Sequence, residues 1–433
     1  MFLKHMNVRA NAYRRAYDIG RIMSRQSFWM SATQTKEAPA AAGIFSQPHE
    51  FVRDRLTWAG YFLYGYFSFV WAAFGAFVPY LRTELNIALS IAALHFSALA
   101  LGPFISGFVG DIILRRLGEA KTIVTGVSIM LSGVILTMVG VHPAVTIGGA
   151  FLIGFGGAIM GQSVTVVMTE RFGQQRALAI TEFQIAGSLC SLFAPVAVGF
   201  VTKAGFNWRA ALLSSLAVLA VFALGNLQLT KRIDRSSTSR GKAGASALKP
   251  LYWLYFAVIF FSVASEWSVA FWTPEYLQQV LNISKADAAM GMSTFLLGMF
   301  LGRIVGVGLL RRFPVSLLLP ASATTAALGF IIFWLSRDLW LSLVGLLLLG
   351  LGESNVYPLA FSSAIGAVSG SPDKATVRIS LSTGSAILIA PLTLGCLADH
   401  VGIGISYGLV AALLVLAAVA VYSASYFSRE RTP

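Results

Sequence analysis

A chain of 433 residues that is 56% apolar, only 12% charged and has a mean hydropathy of +0.74 is no ordinary soluble domain; it reads as a polytopic membrane protein. The net charge of +14 does not point to nucleic acid, because the basic residues are spread over the connections between apolar runs rather than gathered on one face; anionic lipid and the bias of basic residues toward the cytoplasm account for it. The two cysteines, Cys190 and Cys396, lie inside apolar runs, and no disulfide framework or metal-ligand spacing is present, so neither metal nor cofactor is expected.

In chain order, residues 1–55 form a basic N-terminal tail with Lys4, Arg9, Arg14, Arg15, Arg21 and Arg25, followed by an Ala/Ser/Gln/Pro-rich stretch at 31–50. Its composition suits a disordered cytoplasmic segment, with a basic surface helix as the alternative. No apolar stretch and cleavage site follow the basic residues, so it is not a secretory signal. From Trp58 onward the hydropathy predicts about twelve membrane-crossing helices, each long enough for a hydrocarbon core of ~30 Å. Their approximate spans are 57–81, 87–113, 119–141, 144–169, 176–202, 208–230, 251–279, 287–310, 314–336, 339–367, 374–398 and 402–427. The fold class is therefore all-α, with two pseudo-symmetric six-helix bundles at 56–230 and 251–428. A basic linker at 231–250 separates them, and 429–433 is a short tail.

Basic residues decide the orientation. If the termini and the connections after even-numbered helices share one face, that face holds every Lys and Arg except Arg82, Lys203, Arg209, Lys285 and Arg337 on the other, and Arg303 inside a run. Such an imbalance predicts cytoplasmic termini and a multi-pass protein of the cell (inner) membrane.

Internal repetition supports the two-bundle reading. Gly107-Phe-Val-Gly110-Asp111-Ile-Ile-Leu-Arg115-Arg116 closes the second apolar run, and Gly302-Arg303-Ile-Val-Gly306-Val-Gly308-Leu-Leu-Arg311-Arg312 closes the eighth, 195 residues on. Ala194-Pro195 and Ala390-Pro391 repeat at an offset of 196. Repeats of this size in a hydrophobic chain mark a secondary transporter whose site lies between them. Twelve helices in two halves, a basic central loop and Gly-x-x-x-Asp followed by Arg-Arg after helix 2 resemble the major facilitator superfamily, over about residues 55–428. Asn207-Trp208-Arg209-Ala210 at the entry to helix 6 resembles a common sequence of that family. The resemblance implies alternating access and places helices 1, 4, 7 and 10 around the central pathway. It also implies a conformational latch, in which glycines let helices 2 and 11 approach and Asp111 with Arg115 or Arg116 joins the halves in the outward-open state. Gly107, Gly302 and Arg303 belong to the same carry-over. Ile112 departs from the basic residue usual after the aspartate, and Leu310 departs from the pattern in the second copy.

Ionisable groups inside apolar helices are costly and so are functional candidates. Glu266 shares a stripe with Ser262 and Thr273, and Glu353 one with Gly350 and Tyr357; both are candidates for substrate binding and proton coupling. The bland alternative is a glutamate bonded within its own bundle. Glu182 reads as an inter-helix contact and Glu275, after Pro274, as solvated. Tyr64, Trp71, Gln162 and Tyr357 complete the substrate-binding set, an aromatic and amide wall suited to a small polar organic molecule. His95 is read as a packed residue before a proton relay.

Three function classes remain open: proton-coupled uptake of a small polar solute (symport), drug or metabolite efflux by proton antiport, and a non-transport membrane protein. The resemblance weakens drug export, since helix 4 has no arginine from Gly148 to Thr169, and organic-phosphate exchange, since the first half has none facing the cavity. No nucleophile set or nucleotide loop suggests an enzyme. The expected partners are a small-molecule substrate, protons and the lipid bilayer, with the protein acting as a monomer.

Overall fold

The computed structural model describes residues 53–172, 176–225, 246–248, 250–370 and 373–429. Most of the N-terminal tail, nearly all of the 231–250 linker and residues 430–433 lie outside the described residues. The helices are α1 (Arg55–Leu85), α2 (Leu89–Leu117), α3 (Glu119–Val139), α4 (Pro143–Phe172), α5 (Arg176–Lys203) and α6 (Arg209–Gly225), then α7 (Pro250–Leu281), α8 (Lys285–Leu310), α9 (Val315–Leu335), α10 (Leu339–Gly366), α11 (Asp373–Val401) and α12 (Gly408–Arg429). A single turn, Ile403–Ser406, leads into α12. Eleven spans are long and apolar enough to cross a membrane; α6 qualifies only as a shorter apolar helix. One element was not foreseen in the sequence: β1 (Ser246–Leu248) pairs antiparallel with β2 (Val368–Gly370), so the end of the linker is hydrogen-bonded to the α10–α11 connection.

Local chemistry sets the helix ends. Asp54 caps α1, accepting from the Thr57 N–H at 3.1 Å and its hydroxyl at 2.9 Å, while Arg171 from the end of α4 donates to its other oxygen at 2.6 Å. Burial works to raise the Asp54 pKa, but these donors outweigh it and hold the carboxyl below its usual range. Asn86 ends α1 in the left-handed region at φ 50°, and Ser284 and Asp338 cap α8 and α10. At the entry to α6, Trp208 stacks on Phe77 with centroids 4.8 Å apart, and Arg209 donates to Glu84 at 2.7 Å, which fixes α6 to α1.

Glycine packing reveals the repeat more sharply than the motifs do. A Cβ on Gly102 or Gly154 would run into the facing backbone of the other's helix, so α2 and α4 touch main chain to main chain; Gly298 and Gly350 join α8 and α10 in the same way, each 196 residues later. Gly133 against Gly149 recurs as Gly329 against Gly345, again at 196. This register pairs Gly110 with Gly306 and sets Arg303 opposite Gly107, one residue off the motif offset.

The two halves meet along two matching seams. Gly199 of α5 packs on the Ala286 carbonyl and Met290 of α8, and Gly395 of α11 on the Leu89 carbonyl and Ala93 of α2. One turn beyond each glycine stands a charged residue: Lys203 bonds Asp287 at 2.8 Å, and Asp399 accepts from the N–H groups of Leu89 and Ser90 at 2.8 and 2.9 Å. Arg82 and Glu275 join α1 to α7 at 2.6 Å. These contacts lie at the end formed by the α1–α2, α5–α6, α7–α8 and α11–α12 connections, and they close it. Toward the opposite, more basic end, α2 and α11 stay together as far as Phe104 and Gly384; beyond, a Cβ on Gly107 would meet nothing within 4 Å.

Candidate functional site

Above the closed end, aromatic side chains from both halves form a plug. Trp71 of α1 meets Trp267 of α7 edge-to-face at 5.6 Å, Trp267 leans on Phe271 at 5.3 Å, and Phe271 stacks on Phe96 of α2 at 4.3 Å. Gly75, one turn from Trp71, lets α1 approach the Ala270 carbonyl. On the basic side of the plug, Glu266 adjoins Trp267 on α7, and Glu353 of α10 bonds Ser262 and Ser265 of the same helix.

Glu353 is almost fully enclosed, at 1% exposure. Its Oε2 pairs with the Ser262 hydroxyl and its Oε1 with the Ser265 hydroxyl, each at 2.6 Å, so both partners come from α7. Ser265 Oγ also lies 2.8 Å from the Ser262 carbonyl. A hydroxyl has one proton to donate. With Glu353 ionised, Ser265 must turn its proton to the carboxylate; with Glu353 protonated, the acid donates to Ser265 and Ser265 to the carbonyl. The site accommodates both protonation states by reversing one hydrogen bond, without moving a heavy atom.

Glu266 is half-buried, one turn from Ser262 on α7, and forms no hydrogen bond or ion pair with a described residue. Ser262, which the sequence stripe assigned to it, bonds Glu353 instead, and Thr273, also on that stripe, is fully buried. Among the described residues, Arg303 of α8, Glu353 and Tyr357 of α10 lie within electrostatic range of Glu266. Tyr357 turns to Thr383 of α11 rather than to Glu353. Arg303 reaches across to the first half, donating from Nη1 to Ser188 Oγ of α5, and lies within electrostatic range of Tyr64.

Tyr64 stacks on Phe183 at 3.9 Å and donates to Gln184, both on α5. Trp71 keeps a buried indole N–H without a hydrogen-bond partner among the described residues. Gln162 stands apart from the glutamates: its amide donates to Ser106 at 3.0 Å and its oxygen lies over Gly110, which ties α4 to α2.

The latch residues are distributed differently from one another. Asp111, half-buried, and Arg115, exposed, pair at 2.7 Å along α2, with Arg116 beside them. Gly302 packs α8 on Leu351 and Ser354 of α10 within the same half, so its glycine serves that contact, while Arg303 next to it faces the space between halves. His95 is fully buried, Nε2 2.8 Å from Thr146 and Nδ1 3.1 Å from the Ile91 carbonyl, a packed residue. Glu182 accepts from Arg53 at 2.6 Å and Tyr61 at 2.7 Å, an inter-helix contact as read from the sequence. Glu275, read as solvated, is instead 1% exposed and paired with Arg82. The hydropathy pattern also gave no sign of Ser188, Ser265 or Asp399, because their partners are distant in sequence.

The sequence pattern of the Major Facilitator Superfamily matches residues 58–280 and again 254–433. An uncharacterized MFS-type transporter of Yersinia pestis is 22% identical over 354 residues, covering 80% of this chain and 90% of that protein. Among solved structures, a nucleoside transporter superposes with a TM-score of 0.70 at 13% identity, over 86% of this chain and all of that one. A D-xylose-proton symporter gives 0.65 at 14% identity, over 85% and 96%.

Proposed function

We propose that this chain, which belongs to the Major Facilitator Superfamily of transporters, takes up a small polar organic solute by alternating access coupled to protons. Residues 56–230 and 251–428 move as two bundles, with the basic end and both termini in the cytoplasm of a cell whose inner membrane the protein spans. In that orientation the closed end faces outward and the space around Glu266 opens inward. The observation that carries the reading is the setting of Glu353: a buried carboxyl at mid-helix whose two serine partners satisfy it with or without a proton. Sealing the space around an ionised carboxylate is costly, so closure favours the protonated acid; reciprocity then lets protonation and substrate binding bias each other. Glu266 shares the polar space and contacts the solute. The names of the xylose-proton symporter and the nucleoside transporter support a small polar solute.

The test is transport in proteoliposomes. Glu353→Gln, which mimics the protonated acid, abolishes accumulation driven by an acid exterior yet retains exchange of solute down its own gradient. Accumulation that survives in the glutamine variant ends the role of Glu353. Orientation is checked separately: in a background lacking Cys190 and Cys396, a cysteine at Val141, 87% exposed on the α3–α4 hairpin, reacts from outside intact cells with an impermeant thiol reagent. Protection of that cysteine would reverse the orientation.

A further inference from the structure

Glu266 of α7 and Arg303 of α8 lie within electrostatic range of each other without forming an ion pair. Glu266 keeps both carboxylate oxygens without a hydrogen-bond partner among the described residues, and Arg303 spends one N–H on Ser188. Glu266 is half-buried and Arg303 exposed, so both remain open to a ligand, and inside a membrane-spanning bundle a ligand that matches both charges is favoured. Here the two are held from different directions, Glu266 on α7 and Arg303 tethered to α5 of the other half. A molecule lying between them would touch both halves at once.

We infer that the transported solute is a small zwitterion, its carboxylate on the Arg303 guanidinium and its ammonium on Glu266, with its carbon skeleton against Trp71 and Trp267. Charge balance singles out this class. With Glu353 carrying its proton and Glu266 ionised, Glu266 and Arg303 sum to zero, and a zwitterion keeps the sum at zero while pairing each group. A simple carboxylate would pair Arg303 and leave Glu266 unmatched; a simple amine would do the reverse; a sugar would leave both with hydroxyls only. Guanidinium offers carboxylate two parallel donors, and a free glutamate accepts all that an ammonium directs at it. The aromatic walls fit either a hydrocarbon side chain or a methylated ammonium. The inference rests on the proposed proton role of Glu353 only for the charge sum.

The test is equilibrium binding to the purified protein, read by quenching of tryptophan fluorescence, with no proton gradient. The probes are phenylalanine, leucine and glycine betaine as zwitterions, 3-phenylpropionate and phenethylamine as the one-charge counterparts of phenylalanine, and xylose as an uncharged solute. At least one zwitterion binds about tenfold or more tighter than the one-charge probes and xylose, as expected when a charged partner is missing. Preference for phenylalanine or leucine marks a primary ammonium, and preference for betaine a quaternary one. Glu266→Gln then lowers zwitterion affinity while sparing 3-phenylpropionate; Arg303→Gln lowers it while sparing phenethylamine. Equal binding of a one-charge probe or of xylose, or no zwitterion bound at all, overturns the inference, and the wild-type panel alone is enough to do so. Failure of the two readings is distinguishable. Xylose accumulating under a proton gradient through Glu353 sinks the zwitterion and keeps the coupling, whereas zwitterion selectivity without proton-driven accumulation does the opposite.

Discussion

Glu275 and Glu353 are equally enclosed, at 1% exposure, yet one is matched by a charge and the other by two hydroxyls. Removing the acid from the first leaves Arg82 uncompensated beneath the closed end. Glu275→Ala therefore destabilises the protein by about 3 kcal/mol. Adding Arg82→Ala restores part of the loss, and thermal unfolding in detergent measures both; equal stability of wild type and Glu275→Ala refutes the buried pair. These two residues also mark the limit of reading a side chain from its neighbours in sequence. Glu353 stood out because a carboxylate in an apolar run is conspicuous whatever surrounds it. Glu275 was misread because Pro274 and the approaching helix end imitate a solvated terminus, and its counter-charge sits 193 positions earlier. Of the two serines of Glu353, Ser262 was legible as a residue but not as a partner, and Ser265 not at all, since α7 and α10 meet only once the second half is folded.

Helix contacts follow from what each glycine faces. A methyl on Gly154 would strike the Leu99 backbone, whereas one on Gly148, six positions earlier on α4, would meet nothing within 4 Å. Gly154→Ala is expected to cost about 2 kcal/mol through overpacking. Gly148→Ala is neutral or stabilising by up to about 1 kcal/mol through helix propensity. Comparing their unfolding temperatures separates the two, and similar values would contradict the main-chain contact of α2 and α4. At the start of α1, Asp54→Ala removes a cap worth about 1 kcal/mol at neutral pH. Because the folded carboxyl titrates below its unfolded value, that contribution is present above the ordinary carboxylate range and disappears as pH falls through the folded pKa, where wild type and variant converge. Hydropathy placed the helices to within about four residues of their observed ends, except that α12 starts at 408 rather than 402 and the expected end of α6 at 230 lies outside the described residues. It did not show the β1–β2 ribbon, because three-residue strands pair through main chain and leave no pattern.

Over the whole molecule, packing repeats and chemistry does not. The glycines that join helices recur at 196 residues, but at that spacing Glu353 corresponds to Gly157, Glu266 to Val70 and Arg303 to Gly107. The first half supplies aromatics and Ser188; the second supplies every charge of the site. The seams differ likewise: where the first half ends in Lys203, the second ends in Asp399, which holds two N–H groups of α2 only while this end is closed. Asp399→Asn weakens that hold, shifting the balance of states roughly tenfold toward opening. Thiol labelling of Ser97→Cys, buried in the seam, should accelerate accordingly; an unchanged rate would show that Asp399 does not gate. Asp111→Asn, at the other end, is expected to slow turnover with substrate affinity within a few-fold, and normal transport would remove it from the cycle. The Trp71–Trp267 contact lets the same motion be followed without a label. Two indoles 5.6 Å apart on opposite halves couple their electronic transitions, so their near-ultraviolet circular dichroism depends on the angle and distance between them. Opening the closed end pulls that pair apart, and a solute lodged against it alters the coupling in a different way. The protein thus carries a built-in optical gauge of its own transport cycle.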